Sequence, residues 1–373
     1  MESTMETTWE INHSVLHHCV RSALKERNVT VANWQVEPLA VRKSNFTTEG
    51  IYRLHGTATK GDKGIPWSLV LKIIQPEAEE MNHPQHHNYW KREGLVFQSG
   101  LLNHIPNSIQ VPECYMVEEK SETEVWIWME EVKEDNNGKW SLDDFSFIAH
   151  QLGRFHGAYT TDTFSLPNHE WVCQNWLQSW VKGCDQYAVN PDDFYPSLKG
   201  NDIDLDTIMK KYTSLRQQEK KYLRALHTLP RTLSHQDMSQ QNMYIRSKDE
   251  KRELILIDWQ YMSNSAIGED LGKLFGVAMS QEDIPVKKAW EYQGHLFNHY
   301  LQGLREAGWN GDERYARYGF ATGVAFRSAW EVPKLLKLKV QNIDRAAIEK
   351  YTRIVQVQMK FAEEIEKLLI SLD

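Results

Sequence analysis

Apolar and polar positions change rhythm twice along the chain. Between residues 9 and 27, Ile11, Val15, Cys19, Val20 and Leu24 recur at helical steps, which predicts an amphipathic helix. The stretches 34–43, 50–59 and 66–74 read as strands, with Lys60-Gly61-Asp62-Lys63-Gly64 supplying a glycine-bearing turn. A helix is predicted around 86–101, then a proline-marked strand near 111–118 and the apolar run from Val125 to Met129. After Gly138 helical spacing takes over. Ser141 and Asp144 form a capping pattern for a helix over 144–159, and further helices are predicted at 171–188, 204–227, 286–307, 311–330 and 344–371. The clear strands of this half, around 243–246 and 253–258, make one embedded hairpin. The pattern predicts an α+β chain: a small β-rich lobe over 1–130, a polar hinge at 131–140, and a large, mainly helical lobe over 141–373.

Composition narrows the function classes. A chain of 373 residues exceeds what one compact core needs, and 41% hydrophobic with 25% charged residues is ordinary for a globular protein. A net charge of −8 leaves no surplus of Lys and Arg for phosphate backbones, so nucleic acid is not the expected partner. No apolar run is long enough for a membrane span, and the polar start MESTMETTWEIN does not read as a signal peptide. Cys19, Cys114, Cys173 and Cys184 show no CxxC spacing and read as free thiols, which predicts a cytoplasmic protein. Nothing in the sequence speaks to oligomeric state.

The segment from His235 to Asp258 concentrates the chemistry. If its two strands pair antiparallel across the charged turn, Asn242 at the start of one lies beside Asp258 at the end of the other. Asp237 stands just before, in the polar loop that enters the hairpin. Two carboxylates and an amide then converge, an oxygen-donor set suited to Mg2+. Taken singly, each is most simply a turn or cap residue. Together, as His-x-Asp-x-x-x-x-Asn followed by a turn, aliphatics and Asp, they are not explained by packing.

This pattern resembles the catalytic and metal-binding loops of the aminoglycoside phosphotransferase and choline kinase group, relatives of the protein kinases. The resemblance runs over roughly 35–330 and implies a protein-kinase-like two-lobe fold. It implies that Asp237 accepts the proton of the acceptor hydroxyl, that Asn242 and Asp258 hold Mg2+ on the nucleotide phosphates, and that His235 supports the loop. Gly268-Glu269-Asp270-Leu271 resembles a further family motif, in which Asp270 braces the catalytic loop.

The same resemblance assigns parts to the first third. Lys72 interrupts the apolar strand from Ser68 to Ile74, and a lysine there needs a solvent-facing side or an anionic partner. Phosphate contact suits it, with Glu93 on the next helix as its carboxylate and Glu77, Glu79 and Glu80 less well placed. The loop 43–50 lacks a GxGxxG pattern; Ser44, Asn45, Thr47 and Thr48 are its candidate phosphate donors. Glu130 and Val132 would meet adenine through main-chain atoms.

The expected activity is therefore transfer of the γ-phosphate of ATP, or GTP, with Mg2+, to a hydroxyl of a small and amino-containing acceptor, such as an aminoglycoside-like antibiotic. That acceptor would make the chain an antibiotic-resistance enzyme. Asp185, Asp192, Asp193, Asp202, Asp204 and Asp206 would suit a cationic acceptor, and equally read as a solvated acidic loop. Trp171, Trp176, Trp180 and Tyr187 read as core packing or as an acceptor-stacking surface. The alternatives are a nucleotide-binding module of the same fold without turnover, or a kinase of a choline-like or sugar metabolite. His83, His86 and His87 lack a second cluster with zinc-ligand spacing. A protein acceptor is disfavoured, because no Ala-Pro-Glu segment follows Asp258.

Overall fold

The computed structural model describes residues 10–39, 47–133, 139–161, 163–248 and 251–372. Its first part is a helix, α1 (His13–Leu24), laid on an antiparallel sheet of β1 (Thr30–Pro38), β2 (Thr48–Lys60), β3 (Lys63–Ile74), β4 (Cys114–Ser121) and β5 (Glu124–Met129), in the order β1-β2-β3-β5-β4. A short helix, α2 (Arg92–Gln98), lies between β3 and β4. The remainder begins with α3 (Leu142–Thr160) and α4 (Trp176–Tyr187), then the single turn α5 (Pro191–Phe194), α6 (Ile203–Gln217) and α7 (Glu219–His227). Two small sheets follow, β6 (Arg231–Ser234) with β9 (Ser263–Ala266), and the hairpin β7 (Met243–Lys248) with β8 (Lys251–Leu256). Helices α8 (Glu269–Gln281), α9 (Ala289–Glu306), α10 (Glu313–Phe326), α11 (Ser328–Gln341) and α12 (Arg345–Leu372) complete the chain. This is a two-lobed α+β fold, with its change of character between Met129 and Leu142.

Side-chain alternation on β3 decides what the sheet presents to each side. Leu69, Leu71 and Ile73 pack with Leu54, Trp126 and Trp128 under α1. Val70 and Ile74 fall on the opposite face, with Val125, Ile127 and Met129. Lys72 shares that face, between Ile51 of β2 and Ile127 of β5 in the register. Period two therefore points the lysine away from α1 and toward α2.

Several elements depart from the sequence expectation. The helix expected over 86–101 is helical only at 92–98. Residues before it turn instead, because His86 Nδ1 takes the Asn88 amide and the Trp90 indole bonds Asn82. The helix expected at 204–227 breaks at Gln218, and the one expected at 311–330 ends at Phe326, where α11 begins two residues on. Strands β6 and β9 were not legible, since RTLS and SNSA carry no apolar alternation; their serines are buried against one another and against Gln236. The expected hinge lies partly outside the described residues, at 134–138.

Helices α3 and α9 cross at backbone contact. A Cβ on Gly153 would stand 2.1 Å from the Tyr300 carbonyl oxygen, and one on Gly303 would stand 2.2 Å from that of His150. Gly294, on the same α9, has open space. Gly153→Ala is expected to destabilise the protein by about 1–3 kcal/mol through overpacking. Gly294→Ala is expected to stabilise it by about 0.5–1 kcal/mol through helix propensity. Denaturant midpoints of the two variants check both signs.

Candidate active site

The site forms where β3, α2, the β6–β7 loop and the end of the hairpin meet. Lys72 is buried, and its Nζ lies 2.6 Å from Glu93 Oε2 and 2.9 Å from Asp258 Oδ1. Burial works to discharge the ammonium, but Asp258 and Glu93 more than offset it, so its pKa is raised. Burial pushes the Glu93 carboxyl up. The lysine thus joins a carboxylate from each part of the fold.

The hairpin pairs Met243 with Leu256, and Ile257 N–H donates to the Asn242 carbonyl at 3.0 Å. That register sets Asn242 beside Asp258. Asp258 itself has φ +62°, a left-handed conformation that a non-glycine residue keeps only where its surroundings hold it. Asn242 Nδ2 donates to Asp237 Oδ2 at 2.8 Å and to the Asp237 carbonyl at 3.2 Å. Its amide nitrogen is therefore spent on Asp237, and its side-chain oxygen is the end left for another ligand.

His235 joins the two halves of the site. Its Nδ1 accepts the Asp237 N–H at 3.2 Å, which makes Nε2 the protonated nitrogen, and Nε2 donates to the Ile257 carbonyl at 2.9 Å. Asp270, fully buried at the start of α8, accepts the His235 N–H at 2.7 Å on one oxygen and the Gln236 N–H at 2.6 Å on the other. Behind it, His156 Nε2 stands 3.3 Å from Asp270, and His156 Nδ1 lies 2.7 Å from the Tyr300 hydroxyl. That hydroxyl accepts the Gly268 N–H at 2.9 Å. The loop backbone is clamped from behind, including Gln236 at φ +62°.

Other expected positions fall as follows. Thr47 is buried and donates to Gln260 Oε1 at 2.6 Å; Ser44 and Asn45 lie outside the described residues. Glu130 N–H is taken by the Glu113 carbonyl, and its carboxylate faces Arg246 of β7 at 3.7 Å. Glu130 and Val132 line a broad cleft with Pro112, Arg246 and Ile255. Of the acidic stretch, Asp185 pairs with Arg216, Asp202 with Lys339, and Asp206 accepts from the Tyr195 hydroxyl. His83 Nδ1 accepts a turn amide and His87 Nδ1 meets the Ser179 hydroxyl. Trp176 and Trp180 stack on each other, whereas Trp171 stacks on His169 and Tyr187 bonds Glu80.

Two residues of the site escaped the sequence reading. Arg92 is fully buried and spends its five N–H groups on the carbonyls of Pro84, His86, His87, Trp171 and Gln260. Lys273 lies 3.7 Å from Asp237 Oδ1. Burial lowers its pKa, and Asp237 opposes that. A lysine one helical turn after Asp270, inside the apolar run Leu271–Met279, was the available signal.

Comparison with known proteins bears on the fold. Among curated proteins no sequence matches the chain significantly. Among solved structures, an amicoumacin kinase in complex with AMP-PNP, Ca2+ and Ami superposes with a TM-score of 0.53 at 16% identity, covering 88% of each chain. A microcompartment-associated aminopropanol kinase gives 0.50 at 13% identity, over 95% of this chain and 98% of that one. The GDP complex of aminoglycoside 2'-phosphotransferase-IIIa gives 0.50 at 14% identity, over 92% and 98%. Residues 141–302 match the choline/ethanolamine kinase family, a span that holds Asp237, Asn242, Asp258 and Asp270 but not Lys72 or Glu93. The chain therefore carries the kinase-like fold common to these small-molecule phosphotransferases, with choline/ethanolamine kinase as the family that residues 141–302 match.

Proposed function

We propose that the protein transfers the γ-phosphoryl group of ATP, with Mg2+, to a hydroxyl of a small-molecule acceptor. The observation that carries this is the meeting of Lys72 with Glu93 and Asp258, next to an Asp237 whose rotamer Asn242 fixes. A cation for phosphates and a carboxylate for a hydroxyl proton are thereby set side by side, which is what phosphoryl transfer by positioning and electrostatics requires.

Each residue then has a part. Lys72, held charged by its two carboxylates, contacts the nucleotide phosphates. The main chain at Glu130 and Val132 meets the base; GTP would make the same phosphate contacts. Asp237 orients the acceptor hydroxyl through Oδ1 and takes its proton. The acceptor oxygen bonds to the γ-phosphorus as the bridging oxygen–phosphorus bond breaks, and the nucleoside diphosphate leaves with that electron pair. Asp270 and His235 hold the loop so that Asp237 keeps its place.

The donor set fits Mg2+. Asp258 has one oxygen on Lys72 and a second available, and Asn242 has its side-chain oxygen. Among the described residues no group of three or more His, Cys, Asp or Glu side chains is gathered as for a protein-caged metal. Two protein oxygens suit a cation that takes its other ligands from phosphates and water. Bound there, Mg2+ would neutralise charge on the phosphate oxygens.

The solved structures named above are an amicoumacin kinase, an aminopropanol kinase and an aminoglycoside phosphotransferase, which supports a small hydroxylated acceptor as the class. Within the acidic stretch, Asp185, Asp202 and Asp206 are already engaged by Arg216, Lys339 and Tyr195, which gives these three no part in choosing it. Presence of all five polar groups in one place favours turnover over a binding-only module.

Acceptor-stimulated ADP release is expected across a panel of hydroxylated small molecules, and Asp237→Asn is expected to lower it by about 10²–10⁴-fold while nucleotide affinity stays near wild type. Equal rates in the two proteins would remove Asp237 from the chemistry. Chelation of divalent cations is expected to abolish turnover, and Asp258→Asn to raise the Mg2+ concentration needed to restore it. An unchanged Mg2+ titration would place the metal elsewhere.

A further inference from the structure

A cleft opens where the chain leaves the sheet. β3 pairs with β5 from Ile74 opposite Val125 to Val70 opposite Met129, and beyond Met129 the connecting segment diverges from β3. Glu37, Arg53, Glu131, Val132, Arg246 and Ile255 are among the residues that border the space. In the β2–β3 register Arg53 lies opposite Val70, as Ile51 lies opposite Lys72. Period two therefore puts Arg53 on the face of the sheet that carries Lys72, two residues or about 7 Å farther toward the connecting segment. A nucleotide with its phosphates at Lys72 and its base at Glu130 and Val132 passes beneath it.

The Arg53 guanidinium is held by its edge. Nε lies 2.6 Å and Nη2 2.5 Å from Glu131 Oε1 in the connecting segment. Nη1 lies 3.4 Å from Oε2 of Glu37, the residue opposite Arg53 in β1. The Glu131 side chain is 7% exposed, whereas that of Arg53 is 38% exposed. N–H bonds to two carboxylates run in the plane of a guanidinium, so they fix its orientation and leave its faces unused. A phosphate would compete with those carboxylates for the N–H edge. A flat ring would not, because it meets the face. Val70, packed with Ile127 and Met129, adds apolar cover on the same side of the sheet.

We propose that Arg53 is the stacking platform for the nucleobase: Glu37 and Glu131 clamp its guanidinium, and the flat cation covers the purine ring. This rests on the phosphotransferase reading, because Lys72 and the connecting segment fix where the nucleotide lies. Stacking reads the face of a base and not its hydrogen-bonding edge, so this contact serves ATP and GTP alike.

Calorimetric titration of the full chain with Mg-AMP-PNP and with Mg-tripolyphosphate separates the base from the phosphates. Arg53→Ala is expected to weaken AMP-PNP binding by about five- to thirtyfold and to leave tripolyphosphate within about twofold of wild type. Arg53→Lys keeps the charge beside Glu131 but not the flat face, and is expected to lose most of the same factor. Equal losses for the two ligands in Arg53→Ala would make the residue a clamp or a phosphate contact and overturn the proposal. A wild-type ratio of the two affinities in Arg53→Lys would overturn it as well, by showing that charge alone suffices. Retained tripolyphosphate binding shows that the variants are folded. A wild-type protein that does not bind AMP-PNP overturns the phosphotransferase reading itself, whereas AMP-PNP binding that Arg53→Ala leaves unmoved overturns the platform alone.

Discussion

A lysine ammonium buried under a β-sheet cannot stand alone, and the arrangement of this protein follows from how Lys72 is accommodated. Desolvation of an isolated charge is prohibitive, so two carboxylates must reach it. Glu93 comes from α2, and Asp258 comes from the end of β8, across the fold. One interaction therefore fixes the sheet, the short helix and the β7–β8 hairpin relative to each other. Loss of one partner of such a buried pair typically costs about 3–5 kcal/mol, which makes the assembly sensitive to any shift among the three.

A second buried cation secures the same junction by different means. Arg92, next to Glu93, donates to main-chain carbonyls, at Pro84, His86 and His87 before α2 and at Trp171 and Gln260 from the helical part. Its planar fork suits five separate acceptors, which a lysine could not match. The β6–β7 loop is held with comparable economy. Asp270 accepts two consecutive loop amides, and the His156–Tyr300–Gly268 chain holds Asp270 in turn. Gln236 and Asp258 both take positive φ where the backbone turns polar groups into the site.

The sequence by itself determined the elements whose patterns are local. Alternation identified β2, β3 and β5, the Ser141 cap announced α3, and the His235–Asp258 spacing placed Asn242 beside Asp258 through hairpin register alone. Lys72 stood out because a charge inside an apolar strand demands a partner. What tertiary structure alone decided were the partnerships made between distant segments. β6 and β9 have no amphipathic alternation, since both are buried and the β9 serines bond each other inside the fold. Arg92 reads as one more charged residue near a helix start until five carbonyls converge on it. In the acidic stretch 185–206, Asp185 and Asp202 find their partners Arg216 and Lys339 only through folding. Lys273 is separated by long stretches of chain from Trp176 and Asp237, and only folding makes it the cation in a ring box. Periodicity and turn chemistry act over a few residues and are written in order along the chain; desolvation acts on whatever neighbours the fold supplies.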